Sequence, residues 1–231
     1  RFSLKVRDVS VEGDSVALAI DSLTLRERLG FQIEPHDALP SCPWRNERFA
    51  ALSYVVFTFL QFKIWLPGGD ATSIHFGNAV CVLGALILGG VYGGIGGAIG
   101  MTIGDLLDPV YVVYAPKTFI LKFCIGLIAG LIAHKIGKIN EQTDQKQIFK
   151  WALLAAIGGL LFNVIFDPLI GYFYKLVLLG KPAAEVTLSW NVAATSINAV
   201  LSTIASVVIY MALRPALQKS GLFSQVKAAA K

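Results

Sequence analysis

The chain has 231 residues, of which 55% are hydrophobic and 15% are charged, and its formal net charge is +5. Soluble domains carry about 25% charged residues, so this composition argues against a soluble globular protein. With a mean hydropathy of +0.64, the basic excess is better explained by membrane orientation than by nucleic-acid binding, and we expect no nucleic-acid partner.

Residues 1–48 differ from the rest because their content of charged residues is that of an ordinary soluble segment. In part of this segment apolar and polar residues alternate. The apolar residues of this pattern are Val6, Val9, Val11, Val16, Leu18, Ile20 and Leu23. We predict short strands joined by a turn at Gly13–Asp14, followed by a linker over Asp37–Pro43. The segment is too short for a robust core of its own, and we assign it no function.

From Phe49 to Leu213 almost every residue is apolar, which indicates a multi-pass membrane domain. We predict six spans at roughly 49–66, 75–91, 92–107, 116–136, 148–178 and 187–213. The predicted fold class is therefore an all-α integral membrane protein, with a six-transmembrane-helix bundle over residues 49–214 and a cytoplasmic tail over residues 215–231.

Basic residues predict the orientation of these spans. They concentrate before the first span, in the loop between spans four and five, and after span six, at Arg45, Arg48, Lys135, Lys138, Lys146, Lys150, Arg214, Lys219, Lys227 and Lys231. Positively charged segments stay in the cytoplasm, and an even number of spans puts all three regions on one side. We therefore predict cytoplasmic N- and C-termini.

The stretch from Ser73 to Leu107 is rich in glycine and has no charged side chain between His75 and Asp105. Its length suits two helices with a tight bend near Gly89–Gly94. Glycines four residues apart let helix backbones approach closely in lipid. We predict a packing face that includes Gly89, Gly93, Gly97 and Gly100.

Polar side chains at membrane depth are costly, so each is a functional candidate. By the predicted topology most of them gather in the outer half of the membrane. We predict a substrate-binding site formed by His75, Asn78, Tyr114, Lys117, Asn163, Asp167, Trp190, Asn191 and Thr195. Aromatic groups that stack and amides that bond ring edges suit a small, polar, ring-bearing ligand.

Structural roles compete with binding at several positions. His75 could simply begin a helix at the interface, and Tyr114 and Trp190 could anchor the chain in the interfacial aromatic belt. Asn198 and Ser202, deeper in the membrane, favour hydrogen bonds between helices.

Two lysines also have alternative roles. Lys117 could contact a ligand or neutralise Asp105 or Asp167. Lys122 could extend outward to the interface or pair with Asp105, and we favour a structural role for it.

Several functional motifs are absent from the sequence. Without a Walker A motif the chain cannot hydrolyse ATP alone, and no hydrolase or ion-filter motif is present. The cysteines, Cys42, Cys81 and Cys124, lack the spacing of metal ligands. We predict no catalytic activity, no metal site and no cofactor bound by this chain.

Two blocks of sequence resemble a known family. They are SIHFGNAVCVLGALILGGVYGGIGGAIGMTIGDLL at 73–107 and YAPKTFILKFCIGLIAGLIAHKIGK at 114–138. They resemble the substrate-binding (S) components of energy-coupling factor (ECF) transporters, the bacterial vitamin importers, and the resemblance covers about 49–214. The YAP-x-TF-x-x-K passage looks most like the hydroxymethylpyrimidine or pyridoxine group, with pantothenate and riboflavin as close alternatives.

The resemblance implies a six-helix bundle in the bacterial cytoplasmic membrane that binds a vitamin near its outer face. Such proteins dock through their first three helices on a membrane coupling protein with two ATPases, and ATP hydrolysis topples them inward. The resemblance implies a coupling interface at Ala50, Ala51, Gly89, Gly93, Gly97 and Gly100. The family's Ala-x-x-x-Ala motif does not form at Ala50, because Asn46 and Tyr54 stand four positions away.

Two other functions remain as alternatives. A self-sufficient transporter or channel would move its substrate without an ATPase partner. An assembly subunit of another membrane complex would use the glycine face alone and bind no small molecule.

Overall fold

The computed structural model describes residues 2–12, 15–25, 32–33, 43–66, 70–180 and 184–219. The chain divides into two compact units, Arg1–Pro43 and Trp44–Lys231. The linker predicted over Asp37–Pro43 falls almost entirely outside the described residues, and so does the turn predicted at Gly13–Asp14.

The smaller unit contains a three-stranded antiparallel sheet. Strand β1 (Phe2–Glu12) pairs with β2 (Ser15–Leu25), and β2 pairs with β3 (Gln32–Ile33). The strands predicted from the alternating apolar residues are therefore confirmed, and both are longer than the apolar pattern alone indicates.

Helices make up most of the described part of the larger unit. They are α1 (Pro43–Phe59), α2 (Gly77–Leu88), α3 (Gly90–Leu106), α4 (Ala115–Gly130), α5 (Gln145–Phe173) and α6 (Ala184–Lys219). Helices α4 and α5 continue into π-helical turns over Leu131–Ile136 and Tyr174–Leu178. In the packed unit α3 contacts α2 and α4, while α5 contacts α4 and α6.

Local sequence explains where several helices begin. Pro116 occupies the first turn of α4, where its missing N–H leaves no hydrogen bond unmade. Asp144 precedes α5, and its carboxylate accepts a hydrogen bond of 3.1 Å from the backbone N–H of Lys146. Gly89 separates α2 from α3 at φ 91°, a left-handed conformation that glycine adopts without strain. The bend predicted near Gly89–Gly94 is thereby confirmed.

The prediction for span one is wrong in its second half. Helix α1 ends at Phe59, and the next residues form β4 (Gln61–Leu66), which pairs antiparallel with β5 (Asp70–His75). Strand pairing satisfies backbone groups that an irregular segment in lipid would leave without partners. The predicted all-α fold is correct for the helices but misses this pair of strands, called here the β4–β5 ribbon.

Three helical segments within the described residues are long and apolar enough to cross a membrane: Val112–Ile136, Gln145–Leu178 and Thr187–Lys219. On α5, Ile157, Leu161 and Ile165 are each about half exposed and recur every four residues. A stripe of exposed apolar side chains on a helix is what contact with lipid tails requires. The described helices of the larger unit thus expose many apolar side chains.

Helices α2, α3 and α4 pack with their backbones in direct contact. A Cβ atom on Gly93 would overlap the backbone of Gly84, and one on Gly126 would overlap the backbone of Gly94. Such contacts between small residues supply the van der Waals packing that holds helices together in lipid. The packing face predicted from the glycine spacing therefore operates within the chain.

Candidate ligand-binding site

A cavity of about 100 Å³ lies in the larger unit, and residues from β5 and from all six helices line it. The lining consists of Phe57, Ala71, Thr72, Ser73, His75, Asn78, Met101, Asp105, Tyr111, Tyr114, Lys117, Thr118, Lys122, Asn163, Asp167, Lys175, Asn191, Thr195 and Asn198. Few of these side chains are purely apolar, so the cavity is suited to a polar ligand.

Four side chains of α4 and α5 form a connected group, called here the Asp167 cluster. Lys117 pairs with Oδ1 of Asp167, while Lys122 Nζ lies 3.3 Å from Oδ2 of the same carboxylate. Lys122 also donates a hydrogen bond of 3.0 Å to Oδ1 of Asn163. Charged groups inside a membrane protein require partners of this kind. In the Asp167 cluster the opposite charges and the amide offset the cost of burying one another.

Two buried amides present unpaired atoms to the cavity. An ammonium can only donate, so Asn163 must turn its oxygen to Lys122, which leaves its Nδ2 group for another acceptor. Among the described residues, neither Nδ2 of Asn163 nor Oδ1 of Asn78 has a hydrogen-bond partner, and both residues are fully buried. Because an unpaired buried polar atom costs about 1–3 kcal/mol, a ligand that bonds to both would be favoured.

A second ion pair joins β5 to the turn that follows α5. Lys175 pairs with Asp70 and donates a hydrogen bond of 3.2 Å to Oγ1 of Thr187. The hydroxyl of Tyr114 donates to Oδ1 of Asp70 at 3.1 Å, and Lys175 lies 5.6 Å from the centroid of the Tyr114 ring. These contacts fix β5 at the edge of the cavity.

A single amide attaches β5 to α6. Asn198 donates from Nδ2 to the carbonyl oxygen of Ser73 at 2.9 Å, and its Oδ1 accepts from the backbone N–H of His75, also at 2.9 Å. Asn198 thus completes the hydrogen bonding of a strand edge that would otherwise be unpaired. Asn198 thus has a structural role, although its partner is a strand and not the second helix that was predicted, and it also lines the cavity.

Residues 49–215 match the family model described as "ECF-type riboflavin transporter, S component". This chain belongs to the ECF S components. The family consists of transporter subunits that work with ECF coupling and ATPase modules in vitamin uptake, and it is not a family of enzymes. No curated protein and no solved structure gives a significant match to the chain.

Eight of the nine residues predicted for binding line the cavity of this S component. They are His75, Asn78, Tyr114, Lys117, Asn163, Asp167, Asn191 and Thr195. Trp190 does not line it and is 50% exposed, as expected of a residue at the interfacial belt. The structure brings the eight together, and their role in binding remains a prediction.

Two of these eight residues also have contacts within the protein. His75 accepts a hydrogen bond of 3.2 Å at Nδ1 from the N–H of Gly77, and its ring meets Phe57 edge-on at 4.9 Å. A neutral imidazole that accepts at Nδ1 carries its proton on Nε2, which can donate. Thr195 donates to the carbonyl oxygen of Asn191 at 2.7 Å, so its hydroxyl has only acceptor capacity left for a ligand.

The tyrosines of this region are buried and do not face lipid. Tyr111 is 8% exposed and Tyr114 is 6% exposed, and both line the cavity. Burial raises the pKa of Tyr111 above its ordinary value, so its hydroxyl remains protonated and able to donate. The belt-anchor alternative for Tyr114 is therefore wrong.

Two lysines of the cavity, Lys175 and Lys122, differ from what the sequence predicts. Lys175 lies eight residues after Asp167 and twelve after Asn163, so an ideal helix would turn it about 80° and about 120° away from them. It lines the cavity from the π-helical turn Tyr174–Leu178. Helix spacing therefore gave no signal for this residue. Lys122 contacts Asp167 and Asn163 instead of the predicted Asp105, because the packing of α4 on α5 brings it there.

The small residues predicted for coupling have different surroundings. Gly93 and Gly97 are buried against α2, and Gly100 is buried against α1 near Ser53. Ala51 is exposed, whereas Ala50 and Gly89 are half-buried. Close packing inside the S component thus accounts for the three buried glycines, and the coupling role of all six residues remains a prediction.

Proposed function

We propose that this S component is the substrate-capturing subunit of an ATP-driven importer in the bacterial cytoplasmic membrane. In this proposal all six helices cross the membrane and both ends of the helical domain are cytoplasmic. The basic residues at 134–150 and after α6 support that orientation. Helix α2 has only 12 residues, and β5, which leads directly into it, supplies the outer part of that crossing.

The cavity is the proposed vitamin site. The observation that carries this proposal is the pair of buried, unpaired amide atoms, Nδ2 of Asn163 and Oδ1 of Asn78, on the wall of one cavity. A vitamin with one acceptor and one donor on its ring edge would satisfy both atoms and remove their desolvation cost. Tyr111 and Tyr114 offer aromatic surface to the ring.

Riboflavin is the first proposed substrate because the matched family carries its name. Its ring edge has carbonyl acceptors and an N–H donor, the complement of the two unpaired amides. Pyridoxine or hydroxymethylpyrimidine is the second candidate, supported by the passage from Tyr114 to Lys122, and pantothenate is the third.

Transport requires partners in this proposal. The exposed side of α1, which includes Ala51, and the glycine-containing α3 would dock on the membrane coupling protein. Two ATPase subunits would then drive the toppling movement that turns the cavity toward the cytoplasm. The S component itself binds no nucleotide and performs no chemistry.

A thermal-shift titration of the purified chain in detergent against a vitamin panel tests the proposed function. One vitamin should raise the apparent stability by about 2.7 kcal/mol at a hundredfold excess over its Kd, because it binds only the folded state. ATP serves as the control ligand and should give no shift. A folded chain that responds to none of the vitamins would contradict the proposal.

A further inference from the structure

Charged side chains of opposite sign are equally numerous around the cavity, within the part of the chain that the structure describes. The ammonium groups belong to Lys117, Lys122 and Lys175, and the carboxylates belong to Asp70, Asp105 and Asp167. All but Asp70 line the cavity directly, and Asp70 is bound to Lys175. The site therefore offers polar contacts without a net charge.

Asp167 occupies the place where an anionic ligand would otherwise bind. Its two oxygens are taken by different lysines, Oδ1 by Lys117 and Oδ2 by Lys122. A carboxylate held between two ammonium groups is also the arrangement that a carboxylate-bearing ligand would form. The protein has thus supplied that anion from its own α5.

We propose that Asp167 is a specificity-determining residue that makes this site select uncharged vitamins over those bearing a carboxylate. This inference rests on the proposed function of the cavity as a vitamin site. An anionic ligand would have to displace Asp167 from both lysines, or enter beside it and experience like-charge repulsion in a poorly screened interior. An uncharged ring meets neither obstacle.

The remaining groups around the cavity support the same selection. Lys175 is held by Asp70 and Thr187, so it is already engaged within the protein. Asp105 is a second carboxylate on the wall, so an anionic ligand would meet a second like charge there. Among the described residues of the lining, the unpaired side-chain atoms are on the amides of Asn163 and Asn78 and on the hydroxyl of Tyr111. All three are uncharged groups, which recognise carbonyl and N–H groups of neutral rings.

The test uses Asp167→Asn, which removes the charge and preserves the shape of the side chain. Isothermal titration on the full chain in detergent would compare two matched pairs of probes, nicotinamide with nicotinate and panthenol with pantothenate. In the wild type the neutral member of a pair should bind about tenfold or more tightly than its anion. In Asp167→Asn this ratio should fall by about tenfold or more. Where the wild type binds neither member, the variant should gain binding of the carboxylate member.

Asp108→Asn is the matched control for net charge. Asp108 pairs with Lys63 and does not line the cavity, so its replacement should leave the ratio within about threefold. If Asp167→Asn does not fold, Lys117→Met tests the same idea in the opposite direction. It removes a cation and should increase discrimination against the carboxylate member.

The outcomes separate this inference from the proposed function. A wild-type chain that binds a carboxylate vitamin most tightly would overturn the role of Asp167 and leave the proposed function intact. An Asp167→Asn chain with the wild-type ratio, or with no gain of carboxylate binding, would overturn it as well. A folded chain that binds no vitamin of either charge would overturn the proposed function and this inference together.

Discussion

The side-chain amide of Asn163 is held by a hydrogen bond at its oxygen and has no hydrogen-bond partner at its nitrogen among the described residues. Its oxygen accepts from Lys122 at 3.0 Å, while its Nδ2 group has no partner among the described residues. The Lys122 contact fixes the orientation of the amide before a ligand arrives, so binding requires little further ordering of this side chain.

Replacing Asn163 with alanine should weaken vitamin binding by about tenfold or more, because the ligand loses a fixed donor. The fold should be retained, since Lys122 keeps its contact with Asp167. Titration of purified variant and wild type with the vitamin identified in the panel would measure the difference. Ser196→Ala is the control, because Ser196 lies outside the cavity lining and bonds only within α6. Wild-type affinity in Asn163→Ala would show that the site is wrongly assigned.

Which residues share a helix face could be predicted when both belong to the same helix. Asn163 and Asp167 are four residues apart in an apolar helix, so their shared face follows from helix geometry. The sequence left Asp105 and Asp167 open as partners of Lys117, and the structure shows Asp167. The contact of Lys122 with Asp167 was not predicted, because it depends on how α4 packs on α5. Spacing along one helix does not determine which charged groups of two helices meet.

At the scale of elements, the β4–β5 ribbon shows why composition alone misled. Residues 61–66 are apolar enough to extend span one, yet they pair with β5 instead. The sequence Pro67-Gly68-Gly69 between the two strands is a strong turn signal, but it marks the end of the predicted span at 66 and does not reveal that residues 61–66 form a strand. Burial of Ala71 and Thr72 in this ribbon places backbone and small side chains beside the cavity.

The glycine contacts make a prediction about packing. Gly93→Ala should lower the stability of the purified chain by about 1–3 kcal/mol, because the added methyl group overlaps the backbone of Gly84 on α2. Thermal denaturation monitored by circular dichroism would measure it. Gly158→Ala is the matched control, since its methyl group would meet only the flexible end of Ile132. Equal stability of the two variants would contradict the assigned packing.

At the scale of the whole molecule, membrane character was predictable because it depends on summed composition. Three of the predicted spans correspond to helical segments long enough to cross a membrane. The first three helices are shorter, with 17, 12 and 17 residues, so hydropathy alone sets their ends poorly. Their boundaries depend on the bend at Gly89 and on the pairing of β4 with β5. Both are local features, which a hydropathy value averaged over many residues does not show.

Transport by this S component should require its partners. Liposomes that contain the chain alone should accumulate no labelled vitamin, because ATP-driven uptake needs an ATPase and the sequence contains no Walker A motif. Co-reconstitution with an ECF coupling protein and two ATPases should restore uptake when ATP is present. An ATPase pair without its catalytic residues is the control. Uptake by the chain alone would favour the self-sufficient transporter instead.

The backbone contacts among α2, α3 and α4 have a consequence for motion. Side chains that could repack are missing where Gly93 meets Gly84 and where Gly126 meets Gly94, so these helices should move as one rigid block. The β5 side of the cavity is held differently, because Asn198 joins β5 to α6 by two hydrogen bonds. An opening movement on that side would break two polar bonds, whereas separating the three helices would break tight backbone packing.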